Sequence, residues 1–591
     1  MSTPTPDELR ARAETWLAED PDEATREELK RVLDAGDAAD IADRFGAKLE
    51  FGTAGLRGVL GAGPNRMNRS VVIRTTAGLC AYLRKMLPDA GTRGIVIGYD
   101  GRRMSREFAE DTAAVCAGAG VRAILFADTV PTPLLAYAVE DFGAAAGVMV
   151  TASHNPPEYN GFKVYWGNGA QIIPPHDVGI AAAIEAVGPL HGVARPILKE
   201  ARARGLVVDA DGSVERNYLA DVAALARHRD DLAMTIVYTP MHGVGWRMAK
   251  RTLAQAGFND VHVVPAQAEP DGAFPTVKFP NPEEPGALEL SMKLADATRA
   301  DLILANDPDA DRLAVAVRGD DGRWVQLTGN EVGILFAGYL LVDDPAPKSD
   351  RAALTTVVST PLLGVICEAL GVRYESVLTG FKWIANRAIV LEAETGTSFV
   401  FGFEEALGYS VGDVVRDKDG VSAAAIFAEL VRYYRVHHGR NVLAQLEVIY
   451  RRFGFFTSTQ HNVTVKGFEG TTVIAGIMDG FRRAPPADVG GTALATITDI
   501  RTGERRDLAT GNVTKLTLPS SNVIAYVLAD GSRITLRPSG TEPKIKYYFD
   551  VRETVRPDET MADARVRARQ RQDTLVKAFV AIAAAHQAQT A

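Results

Sequence analysis

Three times along this chain a helix-like stretch leads into a short apolar run that stops at a dense polar loop, and this repeated grammar constrains the fold more than any other feature. Residues 143–150 run into Thr151-Ala152-Ser153-His154-Asn155-Pro156-Pro157, and residues 301–306 into Asp307-Pro308-Asp309-Ala310-Asp311-Arg312. Residues 399–401 run into Gly402-Phe403-Glu404-Glu405-Ala406-Leu407-Gly408-Tyr409. Strand-like runs at 94–99, 123–126, 236–238 and 353–358 alternate with amphipathic stretches, the pattern of layered, mainly parallel sheets. Open sheets of this kind bind ligands beyond the carboxyl ends of their strands. The sequence thus predicts an α/β chain of three related α/β/α domains with mixed, mainly parallel sheets, whose polar loops meet in a central cleft.

At 591 residues the chain exceeds what one hydrophobic core holds. Residues 1–50 are charged and place Leu9, Trp16, Leu29, Val32 and Leu33 at helical spacing, which predicts a helical extension. The three α/β domains are expected at 51–210, 211–325 and 326–445. A C-terminal α+β domain is expected at 446–591, where strand-like runs near 455–459 and 522–527 precede an Ala-rich helix at 561–585. A net charge of -9 gives no global reason to bind nucleic acid. No apolar run is long enough to span a bilayer, and the first residues lack a basic segment followed by an apolar one. Cys80, Cys116 and Cys367 match neither a disulfide framework nor a thiolate metal site, so a reducing, cytoplasmic setting is expected.

Ser153 is the first chemical candidate. The Asn-Pro-Pro after it continues neither strand nor helix, which places the hydroxyl on a tight turn at a strand end, fit to carry phosphate with His154 beside it. Asp307, Asp309 and Asp311 would repel one another without a hard cation. A calcium loop is excluded, because Arg312 and Arg318 stand where it requires Gly and Glu. Mg²⁺ uses few carboxylates and completes its shell with water and phosphate, so a phosphate on Ser153 becomes a further ligand.

Other stretches supply the remaining groups. Gly52, Gly55 and Gly58 allow close approach to a ligand and present Arg57. Lys163 follows Ser153 by ten residues and is an acid or base if burial lowers its pKa. Glu404 and Glu405 suit neighbouring sugar hydroxyls. Arg537, Ser539, Gly540 and Thr541 suit the oxygens of a phosphate monoester, with Lys544 close by. No Gly-Lys dipeptide occurs, so there is no Walker loop and no sign of nucleotide use. Each stretch alone is also compatible with a solvated turn.

Together, in this order, they resemble the α-D-phosphohexomutase family of phosphoglucomutases and phosphomannomutases. Residues 151–156 look like its phosphoserine loop, 307–312 its metal loop, 402–408 its sugar loop and 537–541 its phosphate loop. The resemblance implies a fourth domain of a different type, Mg²⁺, glucose 1,6-bisphosphate as intermediate and activator, and small sugar phosphates as partners. It implies that phosphorylated Ser153 donates its phosphoryl group to a sugar monophosphate and recovers the phosphate from the other end of the bisphosphate. Arg57, Lys163 and His154 fall near the transfer site, while Arg312, Gly380 and Lys382 join the substrate-binding groups, and His242 also matches a family position. Ala406 stands where the family usually has Ser in its sugar loop. The length and the Phe-Glu-Glu run look most like the phosphoglucomutase-2-like subgroup, so interconversion of glucose 1-phosphate and glucose 6-phosphate is expected. Mannose or pentose phosphates, or bisphosphate synthesis, are the alternatives. A metal-dependent phosphomonoesterase or a non-enzymatic sugar-phosphate sensor are rival readings; the few histidines in the motif loops speak against the first, and the Asp triad with Ser153 against the second.

Overall fold

The computed structural model describes residues 4–50, 55–465, 470–539 and 544–588. Gly540, Thr541 and residues 51–54, with Gly52, lie outside the described residues. Four sheets follow one another along the chain. The first orders its strands Leu56–Val59, Tyr159–Trp166, Ala146–Val150, Ile95–Tyr99, Ala123–Leu125 and Val207–Asp209. Its last four strands run parallel and its first two antiparallel. The second orders Trp324–Gln326, Leu313–Arg318, Leu302–Asn306, Ile236–Thr239 and Val261–Val263, and the third Arg373–Val377, Arg351–Thr356, Ser398–Glu404 and Gly408–Val411. The C-terminal sheet is antiparallel throughout. This is the four-domain α/β architecture expected, with mixed sheets in the first three units. In the second sheet, however, antiparallel pairings are as frequent as parallel ones, because two short turns send the chain straight back.

Burial explains the sequence texture. Ile95–Tyr99, Ala146–Val150 and Leu302–Asn306 are buried at every residue, so they read as unbroken apolar runs. Ile524–Leu528 alternates buried and partly exposed positions, and Phe455–Thr464 alternates partly exposed and exposed ones from Thr457 on, as a sheet with one wet face requires. The predicted N-terminal extension is three helices, Pro6–Glu19, Glu23–Ala35 and Ala38–Phe45, around Leu9, Leu29, Leu33, Ile41 and Phe45. Thr5 and Glu8 form a capping box on the first. Cys80 and Cys116, distant in sequence, meet as buried thiols with sulfurs 3.7 Å apart.

In each of the first three sheets a parallel strand turns directly into an antiparallel neighbour. Ala146–Val150 returns as Tyr159–Trp166, Leu302–Asn306 as Leu313–Arg318, and Ser398–Glu404 as Gly408–Val411. The three polar loops are these turns. Each holds one non-glycine residue in the left-handed region: Ser153 at φ 52°, Ala310 at 56° and Leu407 at 63°. Such residues cost of order 1 kcal/mol or more apiece and persist only where surrounding packing fixes them.

The second and third units share one apolar core. The helix Gly420–His438 follows the third sheet in sequence and packs on its last strand, Gly408–Val411, but also on the helix Trp246–Gln255 and the strands Leu302–Asn306 and Leu313–Arg318 of the second unit. The helix Val442–Phe453 runs through residue 445, and the fourth sheet begins at Phe455. Phe336 sits fully buried against Phe401, Tyr409 and Phe427, with ring centroids 5.5–5.6 Å away. Phe336→Ala is expected to cost about 3–5 kcal/mol by leaving a cavity under both strands of the third hairpin. A thermal unfolding midpoint equal to wild type would contradict this packing.

Candidate active site

Asp307 and Asp309 are fully buried and Asp311 is 1% exposed. One carboxylate oxygen from each lies within 4.8 Å of the others. The Arg312 backbone N–H donates to Asp307 Oδ1 at 3.1 Å, and Asn306 Nδ2 donates to the Gly420 carbonyl at 3.1 Å, pinning the turn at both ends. Gly243 passes so close beneath it that a Cβ there would come within 2.3 Å of Pro308 Cα.

The charge of this cluster is met from other units. Lys163 Nζ lies 2.8 Å from Asp309 and 2.9 Å from Asp311, and Lys418 Nζ lies 3.2 Å from Asp311. Thr132 donates its hydroxyl to Asp309 at 2.7 Å. Burial and the two neighbouring carboxylates push the Asp307 carboxyl well above its usual range. Burial acts on Asp309 too, but the Lys163 ammonium overrides it and holds that carboxyl low. Asp309 Oδ1 and Asp311 Oδ1 nonetheless remain buried without a hydrogen-bond partner among the described residues. An all-oxygen cluster with unsatisfied buried acceptors fits a hard divalent cation such as Mg²⁺.

Ser153 is 2% exposed and aims at this cluster. Its hydroxyl donates to Asp307 Oδ2 at 2.8 Å, and His154 Nδ1 lies 3.2 Å from the Ser153 Oγ. Arg102 holds the turn: its guanidinium donates to the carbonyls of Ser153 at 2.5 Å, Asn155 at 2.6 Å, Pro156 at 2.9 Å and Tyr159 at 3.2 Å. Asp100 pairs with Arg102 at 3.3 Å and accepts from Thr151 at 2.8 Å, and Thr151 Oγ1 in turn accepts from the Ser153 N–H.

Of the sequence candidates, Arg57 reaches this turn by donating to Asn155 Oδ1 at 2.7 Å, and burial lowers its guanidinium to about 10. Burial, Arg312 and Arg57 push His154 well below the usual imidazole range, so it is neutral near pH 7. Lys163 departs from expectation. Burial alone would lower its pKa, but the flanking Asp309 and Asp311 raise it, so its ammonium is stabilised.

The sugar-loop candidates adjoin the triad. Arg312 donates to the Ala406 carbonyl, and the Leu313 N–H to the Leu407 carbonyl at 3.0 Å, stitching the second hairpin to the third. Glu404 is 6% exposed, and burial raises its carboxyl against the pull of Lys418 and Arg312. Glu405 accepts from Ser359 at 3.0 Å. It also feels the charge of Arg537, which brings the C-terminal unit to this edge. Ser539 follows Arg537 on that unit.

Among the described residues, three candidates, Gly380, Lys382 and His242, make no hydrogen bond or ion pair to the triad. Gly380, at φ 110°, opens the helix Phe381–Thr395, where burial lowers the Lys382 ammonium and Asp177 of the first unit opposes the shift. His242 Nε2 meets the Thr276 hydroxyl at 2.8 Å, and the next residue, Gly243, packs against Pro308 of the triad loop. Sequence reasoning missed Arg102, Asp100, Lys418 and Thr132. Asp100 and Arg102 follow a buried strand, the same signal that marked the other loops. Lys418 and Thr132 reach the triad only through tertiary packing and have no such signal.

The folded geometry, a serine hydroxyl facing a buried carboxylate cluster with basic groups around it, defines a phosphoryl-transfer class of site. Four family models match in succession: the Phosphoglucomutase/phosphomannomutase alpha/beta/alpha domains I at 48–189, II at 216–322 and III at 328–451, and the C-terminal domain at 494–567. Phosphopentomutase of Homo sapiens is 39% identical over 91% of this chain and 90% of its own length. Glucose 1,6-bisphosphate synthase of Homo sapiens is 38% identical over 91% and 89%. The open form of the Paramecium phosphoprotein pp63/parafusin shares the fold, with a TM-score of 0.64 at 16% identity over 92% of this chain and 96% of its own. The chain belongs to the phosphoglucomutase/phosphomannomutase family, the α-D-phosphohexomutases, and its relatives are isomerase-type phosphotransferases.

Mg²⁺ is expected to raise the thermal midpoint, by the equivalent of about 2.7 kcal/mol at a hundredfold excess over its dissociation constant. Asp309→Asn is expected to remove most of that shift; an equal shift in the variant would place the cation elsewhere. Arg102→Leu is expected to lower kcat by roughly 10²-fold, because the serine turn loses its carbonyl clamp. Wild-type kcat would show that the turn holds itself.

Proposed function

We propose that this chain moves a phosphoryl group between the anomeric and terminal oxygens of an aldose phosphate through phosphorylated Ser153. The observation that carries the reading is the 2.8 Å contact between Ser153 Oγ and Asp307 in a cluster that also holds Lys163. In the forward half-reaction the P–Oγ bond of phosphoserine breaks and a P–O bond forms to the free sugar hydroxyl. The sugar hydroxyl proton passes to a neutral base, for which His154 is suited by its depressed pKa and position, and that base returns a proton to the leaving Ser153 Oγ, 3.2 Å from its Nδ1. The bisphosphate reverses in the cleft, and Ser153 takes the phosphoryl group from its other end. Asp307, Asp309, Asp311 and an oxygen on Ser153 would hold Mg²⁺, which when bound neutralises charge on the transferring phosphoryl group.

Lys163, Arg57 and Arg312 would surround that group with fixed positive charge. Glu404 and Glu405, with Gly380 and Lys382 farther along the third unit, would grip the sugar. Arg537 and Ser539, with Gly540 and Thr541, would hold the phosphate that is not transferred.

For the sugar, the 39% identity to a phosphopentomutase favours pentose 1-phosphate and pentose 5-phosphate. A second reading, glucose 1-phosphate and glucose 6-phosphate with glucose 1,6-bisphosphate as primer, is favoured by the 38% identity to a glucose 1,6-bisphosphate synthase. Ala406 lacks the family hydroxyl in the sugar loop, which fits a smaller or differently held sugar. Side-by-side rates on ribose and glucose 1-phosphates with Mg²⁺ and the matching bisphosphate decide between them. A higher kcat/KM on ribose 1-phosphate is expected, and a glucose preference would install the second reading. Ser153→Ala is expected to abolish turnover on both; undiminished turnover would overturn the mechanism.

A further inference from the structure

We propose that His228, Asp230 and His437 form a second metal site, remote from the serine, for a borderline transition-metal ion such as Zn²⁺. His228 and Asp230 lie in the connection between the helix Ser213–Ala224 and the strand Ile236–Thr239, and His437 lies in the last turn of the helix Gly420–His438. One ligand atom from each falls within 4.8 Å of the other two. Donor atoms around a tetrahedral zinc sit roughly 3.4 Å apart, so side-chain adjustments of about an ångström complete the geometry.

The backbone already holds the connection at this place. The N–H groups of Arg227 and His228 donate to Glu429 Oε1 at 2.7 and 3.1 Å, and Arg432 donates to the His228 carbonyl at 3.5 Å. Glu429, Tyr433 and His437 recur every four residues and so share one face of the helix. The His228 ring packs 4.5 Å from Tyr433 and 5.5 Å from His437.

A plain His–Asp pair accounts for the 3.0 Å separation of His437 Nε2 and Asp230 Oδ1. It accounts neither for the third ligand, His228, nor for Asp230 Oδ2, which is shielded from solvent and has no hydrogen-bond partner among the described residues. A cation satisfies both. Two imidazoles and one carboxylate select zinc, nickel or cobalt over Mg²⁺, which prefers oxygen. The helix C-terminus adds a favourable negative end for a cation. Metal bound here would clamp the connection out of the Ser153 unit onto the helix whose other end, at Gly420, accepts from Asn306 beside the triad.

The test uses the full-length protein with excess Mg²⁺ to occupy the Asp triad. After equilibrium dialysis against Zn²⁺, elemental analysis is expected to find about one equivalent more zinc in wild type than in His228→Ala/His437→Ala. Mutase activity is expected to be equal in the two. Asp230→Asn serves as a second variant if the double one misfolds, and it should also lose the extra zinc. Equal zinc retention in wild type and a folded variant would overturn the proposal.

Discussion

The structure depends on how three buried carboxylates are kept together. Removing a carboxylate from water costs several kcal/mol, and breaking a buried pair leaves a charge that typically costs 3–5 kcal/mol. Here Arg312 of the loop itself lies 3.8 Å from Asp311, and the rest of the compensation comes from outside the second unit: Lys163 from the antiparallel strand of the first, Lys418 from the chain ahead of Gly420–His438, and Thr132 from a helix of the first. The triad therefore acts as a joint between units as well as a ligand set. Two of its oxygens still lack a hydrogen-bond partner among the described residues, which leaves room for one more positive charge.

The same joint is assembled three times in outline. Each of the first three sheets delivers its polar loop as the turn between a parallel strand and an antiparallel return, with one left-handed residue at the bend. The strain is local and the packing that holds it is not. Arg102 fixes the first turn by four carbonyl contacts, Gly243 and Asn306 fix the second, and Ser359 and Arg312 fix the third. Because the turns brace one another, a serine in one unit meets a carboxylate in the next at hydrogen-bond distance.

Much of this was legible in the sequence for a physical reason. Strands buried on both faces appear as unbroken apolar runs, and residues 146–150 and 302–306 mark the carboxyl edge where Ser153 and the triad fall. The close spacing of Asp307, Asp309 and Asp311 announced a cation because so short a turn cannot separate their charges. What escaped was whatever only three-dimensional packing supplies. Lys418 lies among ordinary charged residues, and nothing local reveals that Asp311 awaits it. The helix Gly420–His438 belongs to the third unit by chain order but packs on the second sheet as well as its own, since its apolar face is set by shape and not by chain position. Lys163 was read as a group whose burial would free its proton, whereas two adjacent carboxylates reverse that effect.

The central claim is that Ser153 carries the phosphoryl group between the two ends of the sugar. Incubation of the full-length protein with Mg²⁺ and a sugar bisphosphate, followed by phosphopeptide mapping by mass spectrometry, tests it directly. The account predicts phosphate on the peptide containing Ser153, discharged when sugar monophosphate is added. Phosphate on another residue, or a Ser153 phosphate that monophosphate cannot discharge, would contradict it.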